Sequence, residues 1–230
     1  SISPPQKQLY RGCYGTPAHR FHDLPPGIRR DRIVPDDYGS RRAAQREAHG
    51  MAPDQPLLLF VGSGFRTKGL DRALRALAAL GDRRAHLFVI GRDKTGPYRR
   101  LAHRLGVADR VHFLGGRDDI PAWLWAADVL LHPAYAENTG TVLLEAAVAG
   151  LPVVTTDACG YAPWVGHAEM GTVIDADAVT DTALKQALEA ILAADRLRWV
   201  EQGRAFAETA DIFDLVEHAV DCITGEEEAG

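Results

Sequence analysis

The sequence predicts an α/β protein: a doubly wound parallel sheet with helices on both faces. Three observations carry this. From Leu57 onward, short apolar runs alternate with longer segments of helical periodicity, the rhythm of repeated strand-helix units. The apolar runs, such as LLLFVG and HLFVIG, lack the polar alternation of a half-exposed sheet, as strands covered on both faces should. The stretch from Asp128 to Thr156 then supplies a complete strand-helix-strand unit, with strands at 129–132 and 153–156 and a helix at 140–149. The fold expected is therefore Rossmann-like.

Residues 1–50 read as an approach segment. Pro, Arg, Tyr and His dominate it, 6–14 suits a short helix, and Pro25-Pro26-Gly27 suits a turn. The run RRAAQREAH at 41–49 has high helix propensity, with Ser40 as its candidate cap and Gly50 at its end. Residues 51–180 should form the sheet domain. Before the central unit, strands are expected at 57–62, 86–91 and 110–116, and helices at 69–80, 98–106 and 120–127. Leu70, Leu74, Leu77 and Leu80 share one helical face, which a helix packed on a sheet requires. After Thr156 come a loop holding His167, a short strand at 171–174, and two or three helices from about Thr180 to Thr224. Residues 181–230 are expected to pack on the domain through these helices and to end in a frayed, solvated acidic tail, Glu226-Glu227-Glu228.

The 230 residues are 46% hydrophobic and 25% charged, ordinary for a soluble domain with a real core. A net charge of −5 leaves no electrostatic footprint for nucleic acid, so no such partner is expected. Cys13, Cys159 and Cys222 match neither metal nor redox spacing and read as free thiols of a reducing cytoplasm. No apolar stretch approaches the roughly 20 residues of a membrane helix, and no basic-then-apolar leader opens the chain. The chain begins at Ser1 without a methionine, which reads as processed or excerpted.

Ligands of open parallel sheets bind beyond the carboxyl ends of the strands, so the loops after the strands are where chemistry is expected. After the strand at 129–132 stands Glu137, and Glu145 lies inside the otherwise apolar helix that follows. The helix start at Gly140, Thr141 and Val142 offers unpaired N–H groups and a positive dipole end, which suit a phosphate. A carboxylate among apolar residues needs a partner, and ribose or sugar hydroxyls are good ones. Spacing alone is equally met if Glu145 lies on a solvated helix stripe and Glu137 only favours the helix start. After the first strand, Gly62-Ser63-Gly64-Phe65-Arg66-Thr67-Lys68-Gly69 makes a glycine-rich basic turn that favours an anion but lacks Walker spacing. Arg117, beside Asp118 and Asp119, suits a surface ion pair as well as a ligand. His132 ends a buried strand and reads as a hydrogen-bonded core residue. No Cys/His ligand cluster and no Asp-x-Asp motif marks the loops, so neither a metal nor another cofactor is expected.

The run ENTGTVLLEAAVAGLPVVTT, in which Glu137 and Glu145 are separated by seven residues, resembles the signature of the large family of retaining glycosyltransferases with the two-domain GT-B fold. HPAYAE before it, CGYA after it, GSGF with KG near Gly62, and PPGI near Pro25 make the chain most similar to the lipopolysaccharide core heptose α-1,3-glucosyltransferase group. The similarity extends from about Gln6 to the last helices. It implies that this chain is the donor-binding half, and that a glycolipid acceptor is held by a preceding half. It also implies metal-independent transfer of a hexose, glucose from UDP-glucose, to a core heptose, in the cytoplasm at the inner membrane. By the same resemblance Lys68 neutralises the donor diphosphate, and Arg66 substitutes for an arginine expected at Thr67. Arg117 and one of several adjacent arginines, Arg32, lie near the donor; Glu137 orients the transferred sugar and Glu145 holds the ribose. Lys68 and Glu137 are thus the candidate catalytic residues. Glu145, Arg117, Gly140, Thr141, Val142, Gly62, Arg66 and Arg32 are the candidate donor-binding set. Two competing readings are an isolated nucleotide-sugar binding module without activity and a nucleotide-sugar epimerase of GT-B type, which would need further acid/base residues in the ligand loops.

Overall fold

The computed structural model describes residues 4–224, and the acidic Glu226 to Glu228 stretch lies outside the described residues. Helices α1 (Pro4–Tyr14) and α2 (Tyr38–Ala48) precede the sheet. The chain then runs β1 (Leu57–Val61), α3 (Leu70–Ala79), β2 (His86–Ile90), α4 (Gly96–Arg104), β3 (Val111–Gly115), α5 (Ile120–Ala126) and β4 (Val129–His132). It continues through α6 (Thr141–Val148), β5 (Val153–Thr156), α7 (Ala162–His167), β6 (Gly171–Ile174), α8 (Asp181–Ala193), α9 (Arg196–Thr209) and α10 (Leu215–Thr224). The strands lie in the order β3-β2-β1-β4-β5-β6, and each neighbouring pair is parallel. The winding therefore reverses between β1 and β4, whose carboxyl ends flank the crevice where ligands of such sheets bind.

The strands are apolar throughout because both faces are covered. Leu57 and Leu59 of β1 join Phe88, Ile90, Leu130 and Val153 in a core with Tyr38 of α2 and Trp123 of α5. Leu58 and Phe60 face the other way, with Leu87, Val89, Val129, Leu131 and Val154, against Leu70, Leu74 and Leu77 of α3 and Leu184 and Leu188 of α8. A third cluster gathers Leu144 and Val148 of α6, Tyr161, Phe206 and Ile212. Two backbone bonds tie the approach segment to the domain: Ile28 N–H donates to the Ile212 carbonyl at 2.9 Å and Val34 N–H to the Val148 carbonyl at 3.1 Å.

At the amino ends of the strands, Asp128 accepts from Arg42 at 2.5 Å, Arg46 at 3.3 Å, Arg196 at 3.4 Å and the Leu57 N–H at 2.8 Å. The same arginines donate to the Trp125, Ala126 and Ala127 carbonyls, which closes the open end of α5. Charge gathered there serves the frame and stands at the edge opposite the ligand crevice.

Two local expectations are corrected. Helix α2 starts at Tyr38 behind Asp37, so Ser40 lies inside the helix and caps nothing; the Asp37 carboxylate is taken instead by Arg41 at 2.7 Å. His167 is the last residue of α7 rather than part of a loop. This helix is only six residues long with Pro163 in its first turn, too short for its periodicity to be read.

Candidate functional site

The two loops at the β1/β4 crevice are fused by their backbones. Tyr135 and Ala136 N–H groups both donate to the Thr67 carbonyl, at 2.7 and 3.2 Å. Gly69, at φ 76°, passes so close that a Cβ there would lie 2.1 Å from the Pro133 carbonyl oxygen. The turn after β1 is itself braced by the Asp93 carboxylate, which accepts from the Phe65 N–H at 2.8 Å. Gly62 serves the lysine directly: at φ 128°, its absent Cβ would fall 2.8 Å from Lys68 Cε. The glycine-rich turn therefore lays the Lys68 stem over Gly62 and delivers its ammonium into the crevice.

Glu137 is fixed from the opposite side. Its N–H donates to the Ala158 carbonyl and its carbonyl accepts from the Gly160 N–H, each at 3.2 Å. Lys68 Nζ donates to Glu137 Oε2, and the two side chains are 20% and 16% exposed. The His132 ring facing the carboxylate and the Lys68 ammonium together hold the Glu137 carboxyl down at about 2, against burial, which pushes it up. Glu137 is accordingly an anion at neutral pH. Helix α6 follows at once, with Gly140 in the left-handed region (φ 80°, ψ 49°) and no side-chain cap. The leading N–H groups at Thr141 and Val142 are thus left to a ligand.

Glu145, one helical turn further, accepts from Arg32 Nε at 3.0 Å; the side chains are 17% and 14% exposed. Arg32 also reaches Asp31 at 2.8 Å. Of the arginines considered, the structure brings Arg32 to Glu145, leaves Arg66 exposed on the basic turn without an ion pair among the described residues, and places Arg117 apart. Arg117 follows the edge strand β3, with β2 between it and β1, and Asp119 binds its guanidinium through bonds of 2.6 and 2.7 Å.

The reading of His132 as a hydrogen-bonded core residue is corrected. The side chain is fully buried, yet neither ring nitrogen has a hydrogen-bond partner among the described residues. Its Nε2 lies 3.8 Å from Glu137 Oε2, beyond hydrogen-bond reach. The only signal in the sequence was a polar residue closing an apolar strand next to the loop that carries Glu137. Among the described residues no group of three His, Cys, Asp or Glu side chains is placed to hold a metal, and no helix is long and apolar enough to cross a membrane.

A crevice with an ion pair and an uncapped helix start fits a sugar nucleotide, and the comparisons agree with that chemistry. The family model described as glycosyl transferases group 1 matches residues 41–206. The chain belongs to the glycosyl transferases group 1 family. Among its relatives, the lipopolysaccharide glucosyltransferase WaaG of Escherichia coli K12 is 46% identical over 217 residues, covering 92% of this chain and 58% of WaaG. D-inositol 3-phosphate glycosyltransferase 2 of Catenulispora acidiphila is 37% identical over 175 residues, 70% of this chain and 40% of that protein. The crystal structure of WaaG, described as a glycosyltransferase involved in lipopolysaccharide biosynthesis, superimposes with a TM-score of 0.92 at 42% identity, covering 97% of this chain and 62% of that one. The Anabaena protein Alr3699/HepE, solved with UDP and glucose, shares the fold at a TM-score of 0.81 and 22% identity. The chain thus spans little more than half the length of the group 1 relatives it matches most fully, and its sheet is a half of their GT-B architecture.

Proposed function

We propose that the chain is the donor-binding part of a retaining glycosyltransferase that moves glucose from UDP-glucose to a lipopolysaccharide core heptose, in the cytoplasm, without a metal. The observation that carries this is the juxtaposition of Lys68, Glu137 and the uncapped start of α6 at the β1/β4 crevice. The likeness to WaaG, a lipopolysaccharide glucosyltransferase, supports the choice of sugar and acceptor.

As the glycosidic bond breaks, positive charge builds on the sugar ring and negative charge on the departing diphosphate. Lys68 and the N–H groups of Thr141 and Val142 stand where they meet the diphosphate. Glu137, ionised and held by its backbone, accepts from the sugar hydroxyls. Glu145 keeps one oxygen on Arg32 and has the other for a ribose hydroxyl. The acceptor is assigned to the length of the relatives that this chain does not cover, so transfer by this chain alone should stay at background: nothing in the crevice holds an acceptor hydroxyl within the about 3–3.5 Å that proximity requires.

Calorimetry with UDP in excess chelator tests the donor assignment. Binding should persist, and E145A should weaken it about tenfold or more, the worth of a hydrogen bond to a charged group. Unchanged affinity in a folded E145A would remove Glu145 from the site.

A further inference from the structure

His132 is a fully buried imidazole that the core leaves unsatisfied. Its ring lies against Phe60, with centroids 6.1 Å apart at an interplanar angle of 21°, and both nitrogens lack partners among the described residues. An apolar ring would pack there without that penalty, because burying an unpaired polar group costs about 1–3 kcal/mol. A partner gained in another state of the site would offset that penalty. The candidate partner is already in front of it: Glu137 Oε2 at 3.8 Å, the same oxygen that Lys68 now holds.

That sharing matters once a donor arrives. If the diphosphate takes the Lys68 ammonium, as the proposed function requires, Glu137 loses its cation while remaining largely buried. A buried carboxylate without a partner turns away or takes up a proton. Burial keeps His132 neutral, and a neutral imidazole has one N–H to give. A shift of about 0.6 Å would bring Nε2–H within bonding distance of Oε2, leaving Oε1 for a sugar hydroxyl.

We propose that His132 is a positioning residue, which takes Glu137 over from Lys68 when a sugar nucleotide binds and holds the carboxylate on the transferred sugar. It rests on the donor reading above and adds a prediction of its own. Because UDP carries the same diphosphate, removal of the imidazole should cost binding of UDP as well as of UDP-glucose.

The experiment compares UDP with UDP-glucose on the wild-type chain, H132F and H132Q by calorimetry. H132F keeps an aromatic ring against Phe60 without a donor, and H132Q restores an amide N–H near the position of Nε2. H132F should bind UDP and UDP-glucose each about tenfold more weakly than wild type, the loss of one hydrogen bond to a charged group. H132Q should recover most of that loss. Equal affinities in H132F and wild type, or parallel loss of both ligands that H132Q does not recover, would overturn the proposal. Imidazole nitrogen-15 spectra of the wild-type chain make the test independent of any variant's folding: the Nε2 resonance should move on addition of UDP or of UDP-glucose, and an unmoved resonance in a chain that binds either ligand contradicts the role. A wild-type chain that binds both ligands with its Nε2 resonance unmoved refutes only this inference. One that binds neither refutes the donor reading beneath it.

Discussion

Lys68 and Glu137 hold each other in a site that neither sequence position would suggest alone, 69 residues apart along the chain. With the His132 ring facing the same carboxylate, the pair makes a pH signature. The Glu137 carboxyl is lowered from 4.5 to about 2, so its contribution to stability is present above the unfolded value and is lost as pH falls from about 4.5 toward 2. Urea unfolding from pH 7 to 2.5 should therefore show the wild-type advantage over E137Q constant at the neutral end and shrinking below about pH 4.5; a difference independent of pH would show that Glu137 is not held by charge. Arg32 and Glu145 form the second pair, and they make a separable prediction. If Arg32 acts on the nucleotide through Glu145, R32A should weaken UDP less than E145A does, and the double variant should match E145A. The types and loops of these residues were legible in the sequence, since both glutamates flank the helix start at Gly140. The partners were not: periodicity says nothing of which cation reaches which acid, and only the structure pairs Arg32 with Glu145 and Arg117 with Asp119.

Elements place these residues through close backbone contact. Gly69 combines a left-handed φ of 76° with a Cβ position 2.1 Å from the Pro133 carbonyl, so G69A should push the β1 and β4 loops apart. A loss of about 2 kcal/mol or more is expected from the αL penalty and the clash together, with weaker UDP binding. Gly12 in α1 meets nothing within 4 Å, and G12A should be neutral or stabilising by up to about 1 kcal/mol. Thermal melts of the two variants check the contrast; equal melting shifts would mean the contact at Gly69 does not exist in solution. Asp128 gives the frame its counterpart. Its carboxylate gathers Arg42, Arg46 and Arg196, so D128A leaves buried cations unmatched and should cost about 3–5 kcal/mol with no preference for the ligand edge. The strands and long helices were legible because burial on both faces writes unbroken apolar runs. Helix α7 and the true start of α2 were not, since a six-residue helix has no period to count and an aspartate at a cap position can spend its side chain on a neighbouring arginine.

The molecule as a whole behaves as a domain. Two cores cover the sheet, and residues 28 and 34 are tied by backbone bonds to Ile212 and to Val148 of α6, so unfolding should be a single cooperative transition. Differential scanning calorimetry showing separate transitions would contradict that. The parallel topology was legible from strand-helix alternation; the strand order, whose reversal between β1 and β4 puts the ligand crevice where the motifs stand, was not, and the sugar and acceptor rest on likeness to longer relatives. The most direct test of the donor site is a crystal structure of the chain with UDP-glucose. The diphosphate should lie within hydrogen-bond distance of Lys68 Nζ and the Thr141 and Val142 N–H groups, the ribose against Glu145 and the glucose against Glu137. A nucleotide seated away from the β1/β4 crevice, or a Lys68–Glu137 pair left intact with UDP-glucose bound, would contradict it.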